Sequence, residues 1–163
     1  MARIGMVIVV GAIIISIVIA LFAYVQYQPN YVETKAGEPT VVGPVEYTIT
    51  FEGTHNGNEK TRPEHTFVKI RLVAKDISQE NTRISGGQFF IVEPNGEKHQ
   101  PVYGGFSEED LLDDILEPNK PVSWTTQFDI DFDEKEKYNI IIRPTKEQKT
   151  VDTGVVCLIN CQS

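Results

Sequence analysis

Cys157 and Cys161, four residues apart near the end of a 163-residue chain, are the side chains best suited to covalent, redox or metal chemistry. In a straight strand they would lie about 13 Å apart, whereas a disulfide allows a Cα separation of about 7 Å at most. The segment between them must curl if they bond to each other. Outside the cytoplasm two such thiols end as a disulfide, here either local or to a partner chain. Free thiols and a metal site are the alternatives. A zinc or copper centre needs three or four ligands, and only His55, His65 and His99 could complete one. All three fall in expected loops or hairpin ends. The reading is therefore no metal and no cofactor, with Cys157, Cys161, His55, His65 and His99 as the ligand set of a redox or metal-handling alternative.

Two other groupings could carry function. Asp129, Asp131, Asp133, Glu134 and Glu136 crowd carboxylates onto one strand face. Calcium would relieve their repulsion with six to eight oxygen contacts, but the turn glycine and bidentate glutamate of an EF-hand loop are missing. A solvated outer face is the simpler reading. Ser107 and Asp110 have the spacing of a helix-capping box, and Glu108 and Glu109 follow where a helix dipole favours anions. This predicts a short helix over 107–116, ended by Pro118, with Leu111, Leu112, Ile115 and Leu116 as one apolar stripe. That stripe either closes an end of the domain or grips a protein partner. No G-x-S-x-G, P-loop, dinucleotide fingerprint or HExxH is present, so no catalytic residue is assigned and an enzyme is not expected.

The elements that position these residues begin with a membrane segment. Ile4 to Tyr24 carries no charge, and its 21 residues would span about 30 Å as a helix, the thickness of a bilayer core. Arg3 is the only charged side chain before it, so the positive-inside bias puts the N-terminus in the cytoplasm and the remainder outside. The competing reading is a cleaved signal peptide, with Val18-Ile19-Ala20 as the cleavage site and a secreted product. The apolar run exceeds the usual length of about 7–15 residues for a signal core and continues past that site, which favours a retained single-pass anchor over residues 1–25. No cysteine stands directly after it to serve as a lipid-attachment site, so a lipoprotein anchor is not expected.

Beyond the anchor lie about 130 residues, the usual size of one domain. With Arg3 set aside, this part carries 14 basic against 23 acidic residues, net −9. A nucleic-acid role needs a basic surface and is disfavoured; the acidity suits the solubility of an exposed domain. Residues 26–43 hold Pro29, Gly37, Pro39 and Gly43 among polar residues and read as a stalk, leaving 44–163 as the domain. Period-two patterns follow at Val45–Phe51, Thr66–Asp76, Pro121–Phe132 and Tyr138–Arg143, with Trp124 on an inward face. Thr82–Ser85 is a short candidate strand, and Gln88–Glu93 is a continuous apolar run joined to Lys98–Val102 by the turn Pro94-Asn95-Gly96. Val151–Ile159 supplies a last strand.

The order of these features resembles a known family. The Val68-Lys69-Ile70-Arg71-Leu72 strand, the Phe89-to-Gly96 hairpin and the Leu116-Glu117-Pro118-Asn119 turn before the Trp124–Phe132 strand carry the likeness, over about Val45 to Pro144. They resemble the immunoglobulin-like extracellular domain of unknown function in the immunoprotective-extracellular-protein-like superfamily. In that turn the family carries Leu-x-Pro-Gly; Asn119 stands at the glycine and must supply the left-handed conformation. The resemblance implies an all-β, immunoglobulin-like antiparallel sandwich of about seven strands, with the 107–116 helix as an insertion behind a single N-terminal transmembrane helix. It carries over no catalytic residue. The expected function is a noncatalytic, membrane-anchored, extracytoplasmic binding or assembly module. It would touch membrane lipid through residues 4–24 and a protein partner in a membrane or surface complex.

Overall fold

The computed structural model describes residues 2–161, with side chains from Val9 onward. Helix α1, Ala2–Gln26, contains the uncharged run, and its side chains from Val9 on pack against nothing. Among the described residues it is the one helix long and apolar enough to cross a membrane.

Eleven strands follow: β1 Asn30–Lys35, β2 Pro39–Val42, β3 Val45–His55, β4 Thr66–Asp76, β5 Thr82–Ser85, β6 Phe89–Val92, β7 Lys98–His99, β8 Asp113–Leu116, β9 Pro121–Ile130, β10 Tyr138–Ile142 and β11 Asp152–Ile159. They form a five-stranded sheet in the order β1-β11-β10-β6-β7, a four-stranded sheet β2-β3-β4-β9, and a ribbon β5-β8. The chain passes from β3–β4 to β6–β7 in the other sheet, back to β9, and over again to β10–β11, which is the Greek-key path of an immunoglobulin-like sandwich. These seven strands are its kernel.

Alternation places the core. Tyr47 and Ile49 on β3, Ile70 and Leu72 on β4, Phe89 and Ile91 on β6, Phe128 and Ile130 on β9 and Ile140 and Ile142 on β10 are at most 1% exposed between the sheets. Trp124 faces the same interior opposite Leu72. Phe51 departs from the pattern: a register shift between Phe51 and Gly53 turns β3 there, and Phe51 is left 38% exposed, stacked on Phe132. Asn119 adopts φ 60°, the left-handed conformation its turn requires. Gly96, at φ 86°, closes the β6–β7 turn as its N–H donates to the Glu93 carbonyl.

Two expectations are corrected. Residues 26–43 are not a stalk, because β1 and β2 are edge strands, one on each sheet. β1 runs parallel to β11 from Asn30↔Asp152 to Lys35↔Cys157, and β2 pairs antiparallel with β3. Hydroxyls of Thr34 and Thr40 bond across the bend between them. Only Tyr27 to Pro29 separate α1 from the sandwich.

The helix over 107–116 does not form. The capping groups close a turn instead: Asp110 Oδ2 accepts the N–H groups of Phe106 and Ser107, and Ser107 Oγ accepts that of Glu109. The backbone then runs along the open edge of β9, with Thr125 N–H donating to Glu109 O (2.8 Å), Leu111 N–H to Thr125 O (3.0 Å) and Val102 N–H to Gln127 O (2.8 Å). An edge strand offers a row of unpaired backbone groups, and satisfying them outweighs a ten-residue helix of marginal intrinsic stability. Residues 113–116 continue as β8.

Candidate interaction surfaces

The cysteines bond to each other. Cys157 and Cys161 form a disulfide with Cα atoms 5.7 Å apart, and the required curl is supplied by Asn160 at φ 52°. Asn160 Nδ2 also donates to the carbonyls of Glu134 and Glu136, tying the tail to the acidic loop.

The histidines each have their own neighbours. His55 Nδ1 accepts the Gly57 N–H at 3.1 Å, which leaves the ring proton on Nε2. The ring packs with Phe67 and Phe106, centroids 5.2 and 5.4 Å away. Burial lowers the His55 pKa, and Lys69 adds to the effect against the opposing Asp110. His65 sits near Asp129 and His99 beside Glu93. Among the described residues no three or more His, Cys, Asp or Glu side chains are gathered as a metal site.

The acidic run does not present one uniform face. Asp129 accepts the N–H groups of Glu64 (2.7 Å) and His65 (2.9 Å), closing the 56–65 loop. Asp133 accepts the Lys135 N–H, and the Tyr138 hydroxyl donates to Asp131 O while accepting the Asp133 N–H. These carboxylates and carbonyls brace loops.

The expected apolar stripe is split. Leu111 and Leu116 are buried, at 1% and 0%, and clamp the β5–β8 ribbon to the core. Leu112 and Ile115 are 62% and 61% exposed. Gly86 fixes the close approach at this point: its N–H donates to Leu112 O, and a Cβ there would meet Leu111 O and the Tyr103 hydroxyl, each at 2.5 Å. Tyr103 is itself 46% exposed. Around the two apolar side chains stand Asp113 and Asp114, with Arg83 paired to Asp113 across the ribbon. Hydrogen bonding and charge from Arg83 hold the Asp113 carboxyl below its ordinary range.

Two features at the end nearest α1 were not foreseen from sequence. One is a buried polar network. Gln88 Nε2 donates to Gln148 Oε1 (3.1 Å) and Arg143 O (2.9 Å), while Gln148 Nε2 donates to the Tyr47 hydroxyl (3.2 Å). Burial pushes the Tyr47 pKa up to about 12, against the lowering effect of its glutamine bonds. The other is the 143–151 connection, which exposes Arg143, Lys146 and Lys149. The concentration of three basic residues within seven positions of an acidic chain is the signal that could have found it.

The fold and surfaces define an immunoglobulin-like β-sandwich carried behind an apolar helix. Residues 34–150 match the family described as Domain of unknown function (DUF4352), and the chain belongs to it. No curated protein matches in sequence. The yjhA protein of Bacillus subtilis is similar in structure, with TM-score 0.60 and 16% identity over 77% of this chain and 98% of its own. The secreted protein MPT63 of Mycobacterium tuberculosis gives TM-score 0.61 and 6% identity over 80% and 98%. The ycdA protein of Bacillus subtilis, described as a candidate lipoprotein, gives 0.57 and 9%, over 79% of this chain and 40% of its own. At these identities the likeness establishes the fold.

Proposed function

We propose that this protein is a noncatalytic, membrane-anchored module whose sandwich stands outside the cytoplasm and docks a protein partner through the β5–β8 ribbon. The observation that carries the reading is the split of the four candidate side chains. Leu111 and Leu116 are fully used by the core, while Leu112 and Ile115 face outward at about 60% exposure on a two-stranded ribbon separate from the two main sheets. Apolar side chains bordered by Asp114 and the Arg83–Asp113 pair suit a partner with an apolar contact and a polar rim. The secreted and candidate-lipoprotein descriptions of similar sandwiches support placement outside the cytoplasm, and Arg3 ahead of the apolar run supports the topology.

The test is site-specific photo-crosslinking of the full chain in its native membranes, from position 112 or 115, with position 60 in the far loop as control. A discrete adduct from 112 and 115, lost in Leu112→Glu/Ile115→Glu with unchanged folding, is expected. Adducts equally abundant from position 60, or none from the ribbon, overturn the reading. A reporter fused after Ser163 should be accessible from outside the cell, and labelling only from the cytoplasm would reverse the topology.

A further inference from the structure

The connection between α1 and the sandwich is short enough to fix which end of the sandwich meets the membrane. Gln26 ends the helix and Asn30 begins β1, so four peptide links span at most about 14 Å between their Cα atoms. The headgroup layer on each side of the bilayer core is itself about 5–8 Å deep. The start of β1 therefore stays at the membrane surface in any orientation of the domain. β11 runs parallel to β1, and the Asn30 N–H donates to Val151 O at 3.1 Å. The whole 143–151 connection accordingly lies at that same end, and the Gly43 turn packs against it through Thr150.

This end has a composition unlike the remainder of the domain. The 143–151 connection exposes Arg143, Lys146 and Lys149 against one acid, Glu147. None of the three basic groups is ion-paired among the described residues; the Arg143 guanidinium lies 4.6 Å over the Phe90 ring, and Lys146 and Lys149 are engaged by no acid. Glu117 and Lys120 in the neighbouring turn pair with each other; Glu80 is exposed in the 77–81 connection, and the partly exposed Asp152 carboxylate is taken up by bonds from Asn30 and Thr150. The part outside the membrane as a whole is net −9, with 14 basic and 23 acidic residues. Exposed Tyr27 and Tyr31 and the 41% exposed Val151 flank the basic groups, and tyrosine is the residue type enriched at membrane interfaces. Tyr31 and Arg143 line one depression together with Pro29.

We infer that this end of the sandwich lies on the bilayer that α1 spans, with Arg143, Lys146 and Lys149 against anionic lipid headgroups and Tyr31 and Val151 at the interface. The inference rests on the retained anchor of the proposed function. It deepens that reading by giving the sandwich a fixed face toward the membrane, which holds the distal loops and the sides of the domain away from it. Attraction of surface lysine and arginine to anionic lipid is a short-range, salt-sensitive effect, and the short tether keeps these groups within its range.

The experiment is hydrogen exchange of the full chain in nanodiscs made of phosphatidylcholine alone or mixed with phosphatidylglycerol. Amides of 143–151 should exchange at least about fivefold more slowly in the anionic discs, while 56–65 and 131–137 exchange alike in both. Lys146→Glu/Lys149→Glu, at exposed positions, should melt like the parent and lose the difference. Equal exchange of 143–151 in the two lipids overturns the inference, as does a difference that survives the double substitution or high salt. The intact mass of the chain from native membranes reads the anchor separately: a mass beginning at Leu21 removes the anchor reading without bearing on the exchange result in discs.

Discussion

At the end of the sandwich nearest α1 polar side chains of the connections bond to one another inside the protein. Gln88, Gln148 and Tyr47 form one network there, and Oδ1 of the fully buried Asp76 accepts the Ser78 N–H to close the next turn, while its Oδ2 has no partner among the described residues. At the opposite end the 56–65 and 131–137 loops are rich in acidic residues. The 56–65 loop is capped from outside by Asp129, the 131–137 loop is braced by Tyr138 and Asn160, and the interior is closed by the rings of His55, Phe67 and Phe106. The near end is specified by directional bonds in a dry environment, where an unpaired group is expensive. The far end is held by exposed caps and ring packing, which tolerate substitution better. The difference teaches where the fold is rigid and where its surface is free to vary.

The largest effect should come from the core that both ends share. Trp124→Ala removes a ring that is 8% exposed opposite Leu72, and should cost about 3–5 kcal/mol, read as a sharp fall in melting temperature. A curve that does not move would mean that β9 is out of register. Alkaline titration sharpens the comparison next. Tyr47 has its pKa raised from 10 to about 12 by burial, so above pH 10 the unfolded chain releases a proton that the folded chain keeps. The stability present below pH 10 should fall by about 2–3 kcal/mol by pH 12, and Tyr47→Phe should flatten that part of the pH profile. Gln148→Ala leaves the Thr145 N–H and the Tyr47 hydroxyl short of a partner, and should cost about 1–3 kcal/mol in denaturant unfolding. If it costs nothing, the near end is no stricter than the far one.

The smallest effect is expected at the tail. Replacing Cys157 and Cys161 by serine opens a loop of very few residues, so the loss should stay under about 2 kcal/mol and be confined to the end of β11. Hydrogen exchange should show faster opening of 157–161 while the rest of the sandwich is unaffected. Global unfolding on reduction would show that the far end depends on the bond.

The contrast between ends also explains what could be read in advance. The strands β3, β4 and β10 were legible because each buries alternate side chains over most of its length; β9 was legible from its apolar-polar alternation although Trp124 to Phe128 are all buried. Asn119 and Gly96 were legible because their turns demand left-handed backbone. β1 and β2 were not, since edge strands bury little and tolerate the Gly37, Pro39 and Gly43 that otherwise mark a linker. The 107–116 segment misled because capping spacing also suits an Asx-type turn. What chose between them was the open edge of β9, a partner distant in sequence. The curl at Cys157–Cys161 followed from geometry alone. The Gln88–Gln148–Tyr47 network left no local trace, because its members come from three separate parts of the chain.

The parallel pairing of β1 with β11 has a mechanical consequence. The strand fused to the membrane helix is loaded at Asn30, along its own axis, whenever a partner tugs on the far end of the domain. Six residue pairs from Asn30↔Asp152 to Lys35↔Cys157 lie side by side under that load, so they must slide together and cannot peel one at a time. A pull between α1 and the far loops should therefore meet a single high rupture force, measurable by single-molecule stretching, whereas a gradual yield would show that β1 peels. The anchor is in this sense joined to the domain by a lap joint.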